Sequence, residues 1–101
     1  MPQPINATEF TDRVQKGEII NLLDVREPIE FSTYNIGGQN LPLSKLASAL
    51  DELNYNKTDE IVVICKIGIR SETARALLQE NGYQNVRNLA GGLIALQKLK
   101  R

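Results

Sequence analysis

Apolar and polar positions change their period several times along this chain. Pro2 and Pro4 open an extended lead-in. Phe10 and Val14 then stand four apart, between Asn6 with Glu9 three residues on, as in a capping box, and Gly17. This predicts a helix over roughly 7–16. The run from Ile19 to Val25 is short, mostly apolar and bounded by Gly17 and Pro28, as in a buried strand. Pro28 suits the first turn of a short helix carrying Phe31. Gly37-Gly38 breaks the chain, and 39–41 forms a short strand at best. Ser44 is placed to cap a helix with Leu46, Ala49, Leu50 and Leu53 on one face. A polar loop follows from Asn54 to Asp59.

Ile61-Val62-Val63-Ile64 is the strongest strand signal, β-branched throughout. Ser71 is placed to cap the next helix, in which Ala74, Leu77 and Leu78 share a face and Gly82 closes the end. Gln84 to Leu89 reads as a last short strand, and Ala90-Gly91-Gly92 turns into a final helix. Strands thus alternate with helices. The pattern argues for an α/β fold, with a mainly parallel sheet and helices on both faces. Ligands of such sheets bind beyond the carboxyl ends of the strands.

The 101 residues make one domain, 1–101. Lys and Arg total 12, as do Asp and Glu, so no net charge favours nucleic acid or an anionic membrane. With one cysteine and no histidine, the chain offers no internal disulfide, no zinc site, and neither Cys-His nor Ser-His-Asp catalysis. No metal and no cofactor are expected. Apolar runs fall far short of the roughly 20 residues that cross a bilayer. Met1-Pro2-Gln3-Pro4 has neither the basic nor the apolar region of a signal peptide. A reduced, cytoplasmic protein is expected.

That leaves Cys65, at the carboxyl end of the best strand. The loop Cys65-Lys66-Ile67-Gly68-Ile69-Arg70 leads into Ser71 and the next helix. Gly68 permits a tight turn. A tight strand-to-helix loop aims several N–H groups inward, as in an anion-binding nest, and the helix start adds partial positive charge. Lys66 and Arg70 add formal charge nearby. Such surroundings favour the nucleophilic thiolate over the thiol. A buried, inert cysteine would need none of them.

The loop resembles the Cys-Lys-x-Gly-x-Arg-Ser active-site pattern of single-domain rhodanese-like proteins. Leu22-Leu23-Asp24-Val25-Arg26-Glu27-Pro28 with Glu30-Phe31 is similar to the family's first signature. Ile36-Gly37-Gly38 followed by Asn40-Leu41-Pro42-Leu43 is similar to its second. Gly82-Tyr83-Gln84-Asn85-Val86 and Leu89-Ala90-Gly91-Gly92 are similar to its closing segment. The resemblance implies a three-layer rhodanese-like fold with a mainly parallel sheet of about five strands. It implies a sulfurtransferase in which Cys65 takes sulfane sulfur from a donor such as thiosulfate, a persulfide or mercaptopyruvate. The sulfur is held as a persulfide and passed to a thiophilic acceptor: a thiol, cyanide or a sulfur-carrier protein. Lys66, Ile67, Gly68, Ile69, Arg70 and Ser71 would bind substrate. Asp24 and Arg26 would support the site from beneath the loop as an ion pair or hydrogen-bond network, and Glu27 and Glu30 would face solvent or pair with a cation.

Three places depart from the family. Asn35 stands where a histidine is frequent, Leu96 lies near the place of a usual tryptophan, and Ile67 replaces a lysine of two-domain thiosulfate-using relatives. With Ile69 also apolar, the mouth of the loop suits a protein or larger thiol partner better than thiosulfate. The stretches from Asp24 to Leu43 and Leu50 to Leu53 are also similar to rhodanese domains of adenylyltransferases that activate sulfur carriers in molybdopterin- and thiamine-type systems. A non-catalytic binding module is a further alternative, opposed by the joint presence of Cys65, Gly68 and Arg70. Phosphatase chemistry is disfavoured because the loop is Cys-x4-Arg, one residue shorter than in related phosphatases. Lys98, Lys100 and Arg101 read as a solvated basic end.

Overall fold

The computed structural model describes residues 2–100; Met1 and Arg101 lie outside the described residues. Strands β1 (Leu22–Asp24), β2 (Gln39–Asn40), β3 (Glu60–Ile64) and β4 (Asn85–Asn88) form one sheet in the order β2-β1-β3-β4. Every pairing is parallel. Five helices connect them: α1 (Ala7–Gln15), α2 (Pro28–Thr33), α3 (Leu43–Leu46), α4 (Ile69–Glu80) and α5 (Gly92–Leu99). The sheet has four strands rather than about five. Beyond them, the described residues add only an isolated parallel bridge joining Ile5 to Leu89.

The period-two alternation of the strands builds two cores. Leu23, Val25, Ile61, Val63 and Cys65 point to one face, where they pack with Ala74 and Leu78 of α4 and Leu46 of α3. Leu22, Val62 and Ile64 point to the other, against Ala7 and Phe10 of α1 and Leu93 and Leu96 of α5. This is the expected three-layer α/β arrangement. Leu96, where the family usually has a tryptophan, is buried in the second core.

Local expectations fare unevenly. Asn6 caps α1, its Oδ1 accepting from the Glu9 N–H at 2.8 Å. Glu9 does not complete the capping box and instead accepts from Arg87. The apolar run at 19–25 is strand only from Leu22, because sheet partners begin there; Ile19 is 97% exposed. Ser44 does not cap α3: Pro42 holds that place, and the Ser44 hydroxyl donates to Glu27 at 3.0 Å. Leu50 stands in a separate 3₁₀ turn, Leu50–Glu52.

At the amino-terminal end of the strands, Glu60 opens β3 and collects two arginines. Arg13 of α1 forks onto it at 2.6 and 3.0 Å, and Arg87 of β4 donates at 3.3 Å. Arg87 also reaches Glu9, so the network ties α1 to β3 and β4. The opposite end of the sheet carries Asp24 and Cys65.

Candidate active site

Cys65 is the first residue after β3, and the loop from it to α4 is shaped by the start of α5. The Leu93 N–H donates to the Cys65 carbonyl and the Ile94 N–H to the Lys66 carbonyl, both at 3.0 Å. A side chain at Gly92 would forbid this, since its Cβ would lie 2.5 Å from both carbonyl oxygens. With those carbonyls held by α5, amides close on the sulfur. The Gly68 N–H donates to Cys65 Sγ at 3.1 Å and the Ser71 N–H at 3.4 Å. Gly68 caps α4 with φ +95, a backbone shape that favours glycine. Ser71 is therefore not the cap. It lies within the first turn of α4, fully buried, with its hydroxyl 3.2 Å from the sulfur.

The Cys65 residue is 1% exposed. Burial pushes its thiol up. The amides of Ser71, Gly68 and Ile67 pull it down, and so does the Ser71 hydroxyl whenever it donates to the sulfur; with that bond the balance lies below the ordinary thiol value. This direction favours a nucleophile. Arg70 contributes less than its formal charge suggests. It forks onto Glu30 of α2 at 2.6 and 3.0 Å, and this pairing is the main reason the Glu30 carboxyl falls to about 2. Lys66 is exposed. It lines a groove of about 400 Å³ with Arg26, Glu30, Tyr34 and Ile94. Ile67 and Ile69 are 53% and 67% exposed, and Ile29 of α2 is 76% exposed, so the loop and its neighbouring helix present bare apolar surface.

Asp24 and Arg26 are both buried and form an ion pair, Arg26 Nη2 donating to Asp24 Oδ2 at 2.8 Å. Arg26 also donates to the carbonyls of Tyr34 at 2.6 Å and Glu30 at 3.4 Å. The pair thus anchors α2, which carries Glu30, to the end of β1. Neither residue donates to the sulfur.

Sequence reasoning missed Asn88. It ends β4 on the same face as Val86, and its side chain meets Ser71, Gly68 and Glu72. The available signal was an amide at the end of a strand that packs in the core, where a polar group must find partners.

The family model of the Rhodanese-like domain matches residues 6–99. The chain belongs to the rhodanese-like family. It is 32% identical over 96 residues to a sulfurtransferase of Allochromatium vinosum, a match covering 94% of this chain and 88% of that protein. MoeZ of Mycobacterium tuberculosis, named as an adenylyltransferase/sulfurtransferase, is 34% identical over 97 residues, covering 93% of this chain. The structure of the human single-domain sulfurtransferase superposes with a TM-score of 0.82 at 28% identity, covering 94% of this chain and 95% of that one. Some relatives are longer: the chain spans about half the length of one from Bacillus subtilis, 48%, and 24% of MoeZ. Rhodanese-like membership agrees with the fold and with the motif positions along the chain. Among the described residues, no helix is long and apolar enough to cross a membrane.

Proposed function

We propose that this rhodanese-like chain is a sulfurtransferase that carries sulfane sulfur on Cys65. The observation behind this reading is a buried thiol at the carboxyl end of β3, ringed by loop amides in a Cys-x4-Arg loop. The thiolate attacks the outer sulfur of a donor such as thiosulfate or a polysulfide. A sulfur–sulfur bond forms to Cys65 as the donor's own breaks, and its electron pair leaves with the donor remainder. The persulfide then bears its charge on the terminal sulfur, which inward-facing N–H groups stabilise without fixing one substrate's shape. An acceptor thiolate or cyanide attacks that sulfur and returns the Cys65 thiolate. Arg70 and the loop residues from Lys66 to Ser71 shape the approach, while Asp24 and Arg26 hold the helix beside it. A chain working through a free thiol suits a reduced compartment such as the cytoplasm.

The exposed Ile67, Ile69 and Ile29 favour a protein or larger thiol partner over a small anion such as thiosulfate. The similarity to MoeZ, an adenylyltransferase/sulfurtransferase by name, is in keeping with the alternative in which sulfur is delivered to a small carrier protein. Thiosulfate or a polysulfide should add the mass of one sulfur atom to the intact protein, and Cys65→Ser should abolish the adduct. A folded protein that takes sulfur from no sulfane donor would overturn the reading.

A further inference from the structure

Ser71 has one hydroxyl proton and two neighbours within reach of it: Cys65 Sγ at 3.2 Å and Asn88 Oδ1 at 2.6 Å. The direction of that proton decides what Ser71 does to the thiol. A hydroxyl that donates to sulfur favours the thiolate. One that accepts from S–H favours the thiol.

The surroundings of Asn88 settle the direction. Its Nδ2 donates to the Gly68 carbonyl at 3.1 Å and to Glu72 Oε2 at 3.3 Å. Turning the amide over would aim Oδ1 at a carbonyl and a carboxylate, two acceptors that offer no proton. Glu72 is held as a carboxylate, its pKa lowered chiefly by hydrogen bonding from Arg75. Oδ1 therefore faces Ser71, and only the Ser71 proton can satisfy it. Cys65, Ser71 and Asn88 are all buried, so water does not readily replace any of them.

We propose that Asn88 is a positioning residue for the nucleophile: it keeps the Ser71 proton on itself, so that Ser71 offers Cys65 a lone pair and steadies the protonated thiol. The pull toward the thiolate then comes from the amides of Gly68, Ser71 and Ile67, against the hydroxyl rather than with it. The resting sulfur is held between the two states. The charged groups around it do not replace this balance. Arg70 is forked onto Glu30, Arg26 onto Asp24, and Glu72 onto Arg75, while Lys66 is exposed. Among the described residues none of these side chains donates to the sulfur. The inference rests on Cys65 being the reacting group, and it concerns the thiol itself rather than any sulfur donor.

The test is the alkylation rate of the full chain by iodoacetamide as a function of pH, which needs no sulfane sulfur and so stands apart from the sulfurtransferase reading. Ser71→Ala should move the inflection to lower pH. The thiolate fraction below the inflection rises about tenfold, the worth of one hydrogen bond. Asn88→Ala should also lower it, because the freed hydroxyl turns to the sulfur, and should change nothing further in the Ser71→Ala background. Ser71→Thr, which keeps the hydroxyl, should leave the inflection in place. An unchanged or raised inflection in Ser71→Ala overturns the proposal. So does an Asn88→Ala change of equal size with and without Ser71, which marks a merely structural role. If Ser71→Ala fails to fold by circular dichroism, the sign of the Asn88→Ala shift decides.

Discussion

At the amino-terminal end of the sheet, Glu60 gathers Arg13 and Arg87 into a network that joins one helix to two strands. At the carboxyl end, Asp24 holds Arg26 and Glu30 holds Arg70, again as forked pairs. Both ends use carboxylates to satisfy arginines, so paired charge does not mark the reactive end. What marks it is backbone. Among the described residues, amides converge on a sulfur only at the carboxyl end, because α5 has taken the neighbouring carbonyls. On the proposed reading of Cys65 as the nucleophile, the difference teaches that its activation here is mainly a matter of peptide orientation, with side-chain charge in a supporting part.

The comparison can be broken in three places. The largest effect is expected at Asp24→Asn, which leaves Arg26 buried without an anion and should cost about 3–5 kcal/mol. The loss should appear as a lower denaturant midpoint with an unchanged slope. A loss no larger than that of an exposed pair would show that the two ends are not alike in stability. Next comes Glu60→Gln, which should cost about 2 kcal/mol, between exposed and buried pairs. The Arg13 hydrogen bonds are the main cause holding the Glu60 pKa below the ordinary carboxylate range. Its stabilisation is therefore present above the unfolded carboxylate value and is lost as pH falls through the lowered folded one. The gap between wild type and variant should close under acid, and the Cys65 inflection should not move at all. The smallest effect belongs to Arg70→Ala. It removes a half-exposed pair worth at most about 1 kcal/mol. The thiol inflection should rise only slightly, since both the lost cation and the freed Glu30 act in that direction. A large rise would place activation in the Arg70 charge instead of the amides.

Much of this was legible in the residues. The β-branched run at 61–64, the helix carrying Ala74, Leu77 and Leu78 on one face, and the alternation of strands with helices named the parallel sheet and put Cys65 at the carboxyl end of its best strand. The Asp24–Arg26 pair was implied by the resemblance to the family's first signature. Contacts that cross the fold could not. Ile19 looked like strand because apolar character is local, while sheet pairing is decided by a distant partner. Ser71 looked like a cap because serine before an apolar helix commonly is one. Its real place came from Gly68 taking the left-handed position three residues earlier. Glu30 lies 40 residues from Arg70 along the chain, and Ser71 lies 17 from Asn88, so neither pairing has a local signal.

The grip of α5 on the carbonyls of Cys65 and Lys66 also sets an order of events. α5 follows every other described element along the chain, and β3 with its loop is synthesised well before it. Until α5 docks, nothing holds those two peptide planes turned outward. The cysteine is an ordinary thiol in the emerging chain and becomes a tuned one when the fold closes. The tuning of the thiol is thus a late product of assembly, set by the last described helix.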